Sequence, residues 1–173
     1  MFLGRISPFK GLHLLLEALK DLSEETVCLD IYGQTNDQDY ESKCRKLSSG
    51  KSNIRWMGLL PQDQVLNTMQ QHDALCLSST FSEMSPLVIQ EAFAAGLPVI
   101  ASHVYGNAEQ IQHEHNGLLF QFNDVQSLRK QILSCIADPS LLKRLAENIK
   151  LPPDFAQVAD AYHQLYQKIL SDS

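Results

Sequence analysis

Two cations near the amino end, Arg5 and Lys10, are the first residues whose types suggest chemistry. They lie in a segment bounded by Gly4 and Gly11, just beyond the apolar start Met1-Phe2-Leu3. A guanidinium fork and a mobile ammonium set together can neutralise an anion that carries several charges. On spacing alone, two solvated cations in a surface turn is the simpler reading. A second group is Glu83-Met84-Ser85-Pro86-Leu87-Val88-Ile89-Gln90-Glu91. Ser85 before Pro86 reads as a helix start, with the hydroxyl as cap and the proline in the first turn. The unpaired N–H groups of Leu87 and Val88 would then face an anion at the positive end of that helix. Glu83 in the loop and Glu91 one turn inside the helix could accept hydrogen bonds from ligand hydroxyls, or be no more than solvated surface. The run Ala92-Phe93-Ala94-Ala95-Gly96 is small and apolar, and a carboxylate entering a buried helix requires a partner. The two readings stand level on the residues alone.

A third place is Gly106-Asn107-Ala108-Glu109, where Gly106 and Asn107 suit a turn with positive φ. As a plain connection it needs no further role. The six histidines form no metal-binding pattern, and Cys28, Cys44, Cys76 and Cys135 stand singly, without a Cys-x-x-Cys pair. Cys28 and Cys76 fall inside apolar runs and read as small core residues. Neither a Gly-x-Ser-x-Gly elbow nor a Walker-type glycine loop is present, which weakens hydrolase and ATPase readings.

The elements that must position these residues alternate strand with helix. Strands are expected at 1–6, 27–32, 54–57, 74–77, 98–101 and 117–120, where short apolar runs end in glycine or hydroxyl residues. Leu12, Leu15, Leu16, Leu19 and Leu22 recur at helical spacing, and helices are also expected over 37–49, from Pro61, and over 86–95. The pattern predicts an α/β fold: a Rossmann-like, doubly wound parallel sheet of about six strands with helices on both faces. Ligands of such sheets bind beyond the carboxyl ends of the strands, which is where Arg5, Lys10, Gly33 and Glu83 fall. Leu151-Pro152-Pro153 breaks the chain into a domain over 1–150 and a tail over 151–173. The tail carries Phe155, Val158, Ala159, Tyr162, Leu165, Tyr166 and Ile169 on one helical face, which must dock on something.

The 173 residues suit one domain and are short for two lobes. Composition is globular, 44% hydrophobic and 20% charged, and the net charge of −6 argues against general binding to nucleic acid. The start lacks a signal-peptide layout, no apolar run is long enough to span a bilayer, and single cysteines suit a reducing cytoplasm.

At these residues the sequence resembles a known family. Gly4-Arg5-Ile6-Ser7-Pro8-Phe9-Lys10-Gly11 with its leucine-rich helix is similar to the start of the C-terminal, donor-binding domain of GT-B glycosyltransferases. The closest class is the large retaining group called family-4 glycosyltransferases, or glycosyl transferases group 1. Glu83 and Glu91 match its Glu-x7-Glu motif, and Ala92 to Ala101, Asn116 to Leu119 and Phe155 to Tyr166 also correspond. The resemblance implies that Arg5 and Lys10 hold the diphosphate of a UDP-sugar or GDP-sugar and steady the leaving group. It implies that Glu83 contacts the donor sugar, that Glu91 receives the ribose hydroxyls, and that the N–H groups of Leu87 and Val88 bind phosphate and sugar. Gly4, Gly33, Leu60 and Ser85 would line the donor site. No metal or other cofactor is expected. The implied setting is cytoplasmic, at most peripheral to the inner face of a membrane.

Departures matter too. Met84-Ser85 stand where the family often has glycine-rich residues, and Asn107 stands where a second glycine is common. The family's N-terminal acceptor domain is missing, so the tail helix that would cross back to it must pack on this domain, pack on a second copy, or stay exposed. The isolated chain is expected to bind donor without transferring it. Two other readings stay open: a non-catalytic remnant that binds a nucleotide or a protein, and a related GT-B enzyme such as a nucleotide-sugar epimerase, which the Glu-x7-Glu pattern disfavours.

Overall fold

The computed structural model describes residues 1–171. Six strands run through it: β1 (Phe2–Leu3), β2 (Leu29–Tyr32), β3 (Ile54–Gly58), β4 (Leu75–Leu77), β5 (Val99–Ser102) and β6 (Gly117–Phe120). Between and after them lie α1 (Leu12–Ala18), α2 (Gln38–Leu47), α3 (Val65–Met69), α4 (Leu87–Ala94), α5 (Tyr105–Gln110), α6 (Val125–Ala137), α7 (Leu141–Glu147) and α8 (Phe155–Ser171). Short 3-10 turns at Pro8–Lys10 and Gln62–Gln64 precede α1 and α3. The last two residues of the 151–173 tail lie outside the described part.

Regular pairing forms two parallel ladders, β1-β2-β3 and β4-β5-β6. Two further bonds join them. The Met1 ammonium donates to the Ala74 carbonyl at 2.7 Å, and Cys76 N–H donates to the Met1 carbonyl at 2.8 Å. This is parallel pairing of Met1 opposite Leu75. The strands therefore follow the order 3-2-1-4-5-6, the doubly wound arrangement, and the strand order reverses between β1 and β4.

Because side chains alternate along a strand, each strand serves two cores. Cys76, Ile100, Leu118 and Phe120 face a cluster built with α1, α2, α6 and α7. Leu75, Leu77, Val99 and Ala101 face a second one, built with α3 and α4. The strands are apolar on both faces for this reason. The tail helix α8 takes no part in either core. Phe155 is 96% exposed and Tyr162, Leu165, Tyr166 and Ile169 are all exposed, so its apolar face is not packed on this domain.

Three local expectations need correction. Cys28 is exposed rather than a core residue, because β2 begins only at Leu29; Cys76 is buried as expected, and burial pushes its thiol up to about 12. Residues 105–110 form a helix, not a turn with positive φ. Asn107 is fully buried there and its amide donates to the Ser102 carbonyl at 2.9 Å, which closes the helix onto β5. Helix α4 starts at Leu87, with Pro86 in the cap position and no side-chain cap, so Ser85 does not cap it. A residue before proline is held extended, which moves the hydroxyl away from the helix start.

One charged residue sits inside the apolar sheet. Asp30 of β2 is 5% exposed and meets Arg55 through two hydrogen bonds of 2.5 and 2.7 Å. His72 reaches it at 3.1 Å, and the other ring nitrogen of His72 lies 2.7 Å from the Thr68 carbonyl. Burial disfavours the charged carboxylate, but the hydrogen bonds from Arg55 and His72 outweigh it and hold Asp30 below the ordinary aspartate range. A carboxyl depressed in the fold stabilises it above its unfolded value of about 3.9, and that contribution is lost as pH falls through the folded value. Asp30→Asn should therefore lower the melting temperature most near neutral pH. The gap to the unsubstituted chain should close as pH drops below about 4 in paired thermal melts; a gap independent of pH would refute this account.

Candidate functional site

The loops after β1 and β4 meet where the strand order reverses. Gly11 makes this approach possible. Its φ is +64°, and a Cβ there would collide with the Ser78 carbonyl oxygen at the end of β4. Three bonds brace the junction: Ser78 Oγ donates to the Gly11 carbonyl at 2.9 Å, Thr80 Oγ1 to the Pro8 carbonyl at 2.6 Å, and Thr80 N–H to the Phe9 carbonyl at 2.8 Å. Lys10 is thereby carried to Glu83, and its Nζ lies 2.6 Å from Glu83 Oε1. These side chains are 30% and 16% exposed, so the pair is shielded but still reachable. Phe9 and Phe81 stand beside it as an exposed edge-to-face pair with centroids 5.5 Å apart.

Glu83 is also held from its other side. Its carbonyl accepts the Gly106 N–H at 2.9 Å, and a Cβ at Gly106 would strike the carbonyls of Glu83 and Met84. The need at position 106 is thus for close approach inside a helix. Ser79, which sequence reasoning did not single out, is fully buried and donates to Glu83 Oε1 at 2.7 Å. Its only advance signal was a hydroxyl at the end of a predicted strand.

Helix α4 follows. Its start has N–H groups at Leu87 and Val88 without an acceptor among the described residues, while Ile89 N–H turns back to the Pro86 carbonyl at 3.1 Å. With no hydroxyl cap competing for them, these donors are open to a ligand. The far end closes on Gly96: its N–H reaches the Phe93 carbonyl at 3.0 Å, and Leu97 N–H reaches the Ala92 carbonyl at 2.8 Å. Glu91 is half-buried and has Gln62 as its partner, at 3.0 Å.

The remaining candidates are placed around this centre. Gly4 and Gly33 touch: a Cβ at Gly33 would collide with the Gly4 carbonyl oxygen, and Gly33 N–H donates to the Gly58 carbonyl at 2.8 Å. Leu60 packs half-buried against the core under α3 and α4. Arg5, Ser85 and Leu87 are exposed, and Arg5 has no hydrogen bond or ion pair with the described residues. The structure therefore joins Lys10 to Glu83 and Gly4 to Gly33, but gives Arg5 no partner among the described residues. A cavity of about 720 Å³ opens at the opposite end of the strands, lined by residues such as Cys28, Ala74, Gly96 and Cys135, and includes none of these candidates. Among the described residues no helix is long and apolar enough to cross a membrane.

A doubly wound parallel sheet with a charged centre at its reversal point defines the Rossmann-like class, here in its GT-B form. Within it, the chain belongs to the glycosyl transferases group 1 family, which matches residues 1–151. It is 28% identical, over 99% of its length, to a putative glycosyltransferase of Bacillus subtilis, YtcC, and covers 45% of that protein. It is 27% identical over 96% of its length to a glycogen synthase of Mycobacterium tuberculosis, of which it covers 41%. Anabaena HepE, solved in complex with UDP-glucose, superposes with a TM-score of 0.82 at 25% identity over 98% of this chain and 48% of that one. The chain thus spans about half the length of the curated relatives it matches.

The close approach at Gly11 is testable against a glycine that lacks it. Gly50 also has positive φ, +78°, but open space around its Cα. Gly11→Ala should destabilise by about 2 kcal/mol or more in urea titration. Gly50→Ala should cost clearly less, and equal losses would show that backbone conformation alone matters at Gly11.

Proposed function

We propose that this chain is the donor-binding half of a retaining glycosyltransferase that moves a sugar from a nucleoside-diphosphate sugar to an acceptor. The observation that carries the reading is the Lys10–Glu83 pair at the sheet's reversal point, with the helix start at Leu87 and Val88, whose N–H groups have no acceptor among the described residues, following Glu83 in the same segment. A diphosphate needs positive charge and N–H donors together, and this place supplies both. The UDP and UDP-glucose complexes of HepE make a uridine donor the first candidate and a guanosine donor the second.

In this reading Lys10 and the unpartnered Arg5 neutralise the charge that builds on the departing diphosphate as the glycosidic bond breaks. The N–H groups of α4 steady the phosphate nearest the sugar. Glu83 accepts a hydrogen bond from the sugar, and Glu91 exchanges Gln62 for the ribose hydroxyls. The glycine contacts at Gly4, Gly33 and Gly58 keep side chains out of the approach to the base, with Leu60 and Ser85 at its edges. Retention of configuration rests on the resemblance carried by the Glu-x7-Glu motif. The acceptor, a glycan or a lipid-linked one, would be supplied by a second lobe, and the exposed apolar face of α8 is where that lobe would pack. Transfer by this chain alone is expected to be negligible, since nothing here fixes an acceptor.

Calorimetry with UDP, GDP and their glucose and mannose conjugates tests the donor reading. One nucleotide should bind, equally with and without EDTA, and raise the melting temperature. Arg5→Ala and Lys10→Ala should each weaken it about tenfold or more, the scale of a lost charged hydrogen bond. Absence of heat with every nucleotide at millimolar concentration would refute the proposal. Without its second lobe the apolar face of α8 should also drive self-association, seen by sedimentation and abolished by Leu165→Glu. A strictly monomeric chain would remove that partner.

A further inference from the structure

Three hydroxyl residues in a row, Ser78, Ser79 and Thr80, directly follow β4. Their hydrogen bonds show the outer two serving one loop and the middle one another. Ser78 and Thr80 both donate to the loop after β1, at the Gly11 and Pro8 carbonyls. Ser79 is turned the other way, to Glu83 Oε1, which it reaches at 2.7 Å from a fully buried position. Lys10 Nζ reaches the same oxygen at 2.6 Å. Two donors occupy both lone pairs of Oε1, and Oε2 has no partner among the described residues.

We infer that Ser79 is a positioning residue for Glu83: its O–H locks Oε1 inward and leaves Oε2 as the oxygen offered to the hydroxyls of a nucleotide-linked sugar. The inference rests on the reading of Glu83 as the donor-sugar contact. The reason for a hydroxyl is electrostatic. Lys10 has three N–H donors and two anions to serve, Glu83 and the diphosphate. As phosphate charge approaches, the ammonium is drawn toward it and its hold on Glu83 weakens. A neutral O–H faces no such competition, and its bond to an ionised acceptor is strengthened by burial. Ser79 keeps the carboxylate in place while Lys10 turns to the phosphate. The Gly106 N–H holds the Glu83 carbonyl at 2.9 Å, so only the side chain of Glu83 is left to be set.

The test measures affinities for UDP and UDP-glucose, and in parallel GDP and GDP-mannose, by calorimetry. The proteins are the unsubstituted chain, Ser79→Ala, Glu83→Ala and the double variant. Ser79→Ala should keep the affinity for the bare nucleotide and lose about tenfold for the matching nucleotide-sugar, the scale of one charge-assisted hydrogen bond. In the Glu83→Ala background the same change should have no further effect. No loss, an equal loss for nucleotide and nucleotide-sugar, or a loss that persists without Glu83 would overturn the role of Ser79 and leave the donor site standing. Failure of the unsubstituted chain to bind any of the four would overturn the donor reading and this inference with it. Should Ser79→Ala fail to fold, Ser79→Cys, close in size with a weaker donor, carries the same expectations.

Discussion

The candidate site depends on how closely the loop after β1 lies against the end of β4. At that contact a main-chain carbonyl, that of Ser78, occupies the space a side chain at position 11 would need. Only glycine allows it, and the positive φ at Gly11 independently favours glycine. From this contact follows the meeting of Lys10 with Glu83, residues 73 positions apart. The loop is short, so moving its end even slightly would separate the two charges. A site on loops keeps its geometry here because those loops are bonded to each other as well as to the sheet.

The sheet explains why the reversal point is where polar chemistry is tolerated. Its strands are buried on both faces, by α1, α2, α6 and α7 on one side and by α3 and α4 on the other. Polar groups in the middle of such a layer must be fully paired, as Asp30 is by Arg55 and His72. At the carboxyl ends, between β1 and β4, the helices diverge to opposite faces and leave charged groups within reach of water. The Lys10–Glu83 pair, partly exposed, sits at that boundary. There a charge can be held in place without the full penalty of burial.

The parts of the molecule legible in the sequence were those set by local periodicity. The leucines of α1, the apolar strands and the proline-to-glycine span of α4 all announce themselves within a few residues, and the strand-end rule then points to Arg5, Lys10 and Glu83. What could not be read is set by contacts far apart in the chain. The partner of Lys10, the role of Ser79 and the burial of Asp30 depend on which strands become neighbours, and no window of sequence holds that information. Gly106 misled for a related reason. A glycine needed for a turn and one needed for close packing look the same until the Glu83 and Met84 carbonyls are seen beside it. Ser85 misled by one position, since Pro86 occupies the cap that the hydroxyl was expected to fill.

The place of β1 has a kinetic consequence. Its Phe2 pairs with Ile31, and Met1 bonds to Ala74, 73 positions away. A strand at the centre of the finished sheet thus precedes β2 and β3, and its second neighbour, β4, is made only after both have been synthesised. The β2 ladder can form early, but the union of the two three-stranded halves must wait for a long loop to close. High contact order of this kind slows folding and leaves open strand edges on both halves in the meantime. The contact that creates the reversal point, and with it the meeting of Lys10 and Glu83, therefore carries the entropy of closing a loop of 73 positions, a cost that the local strand–helix units of each half do not bear.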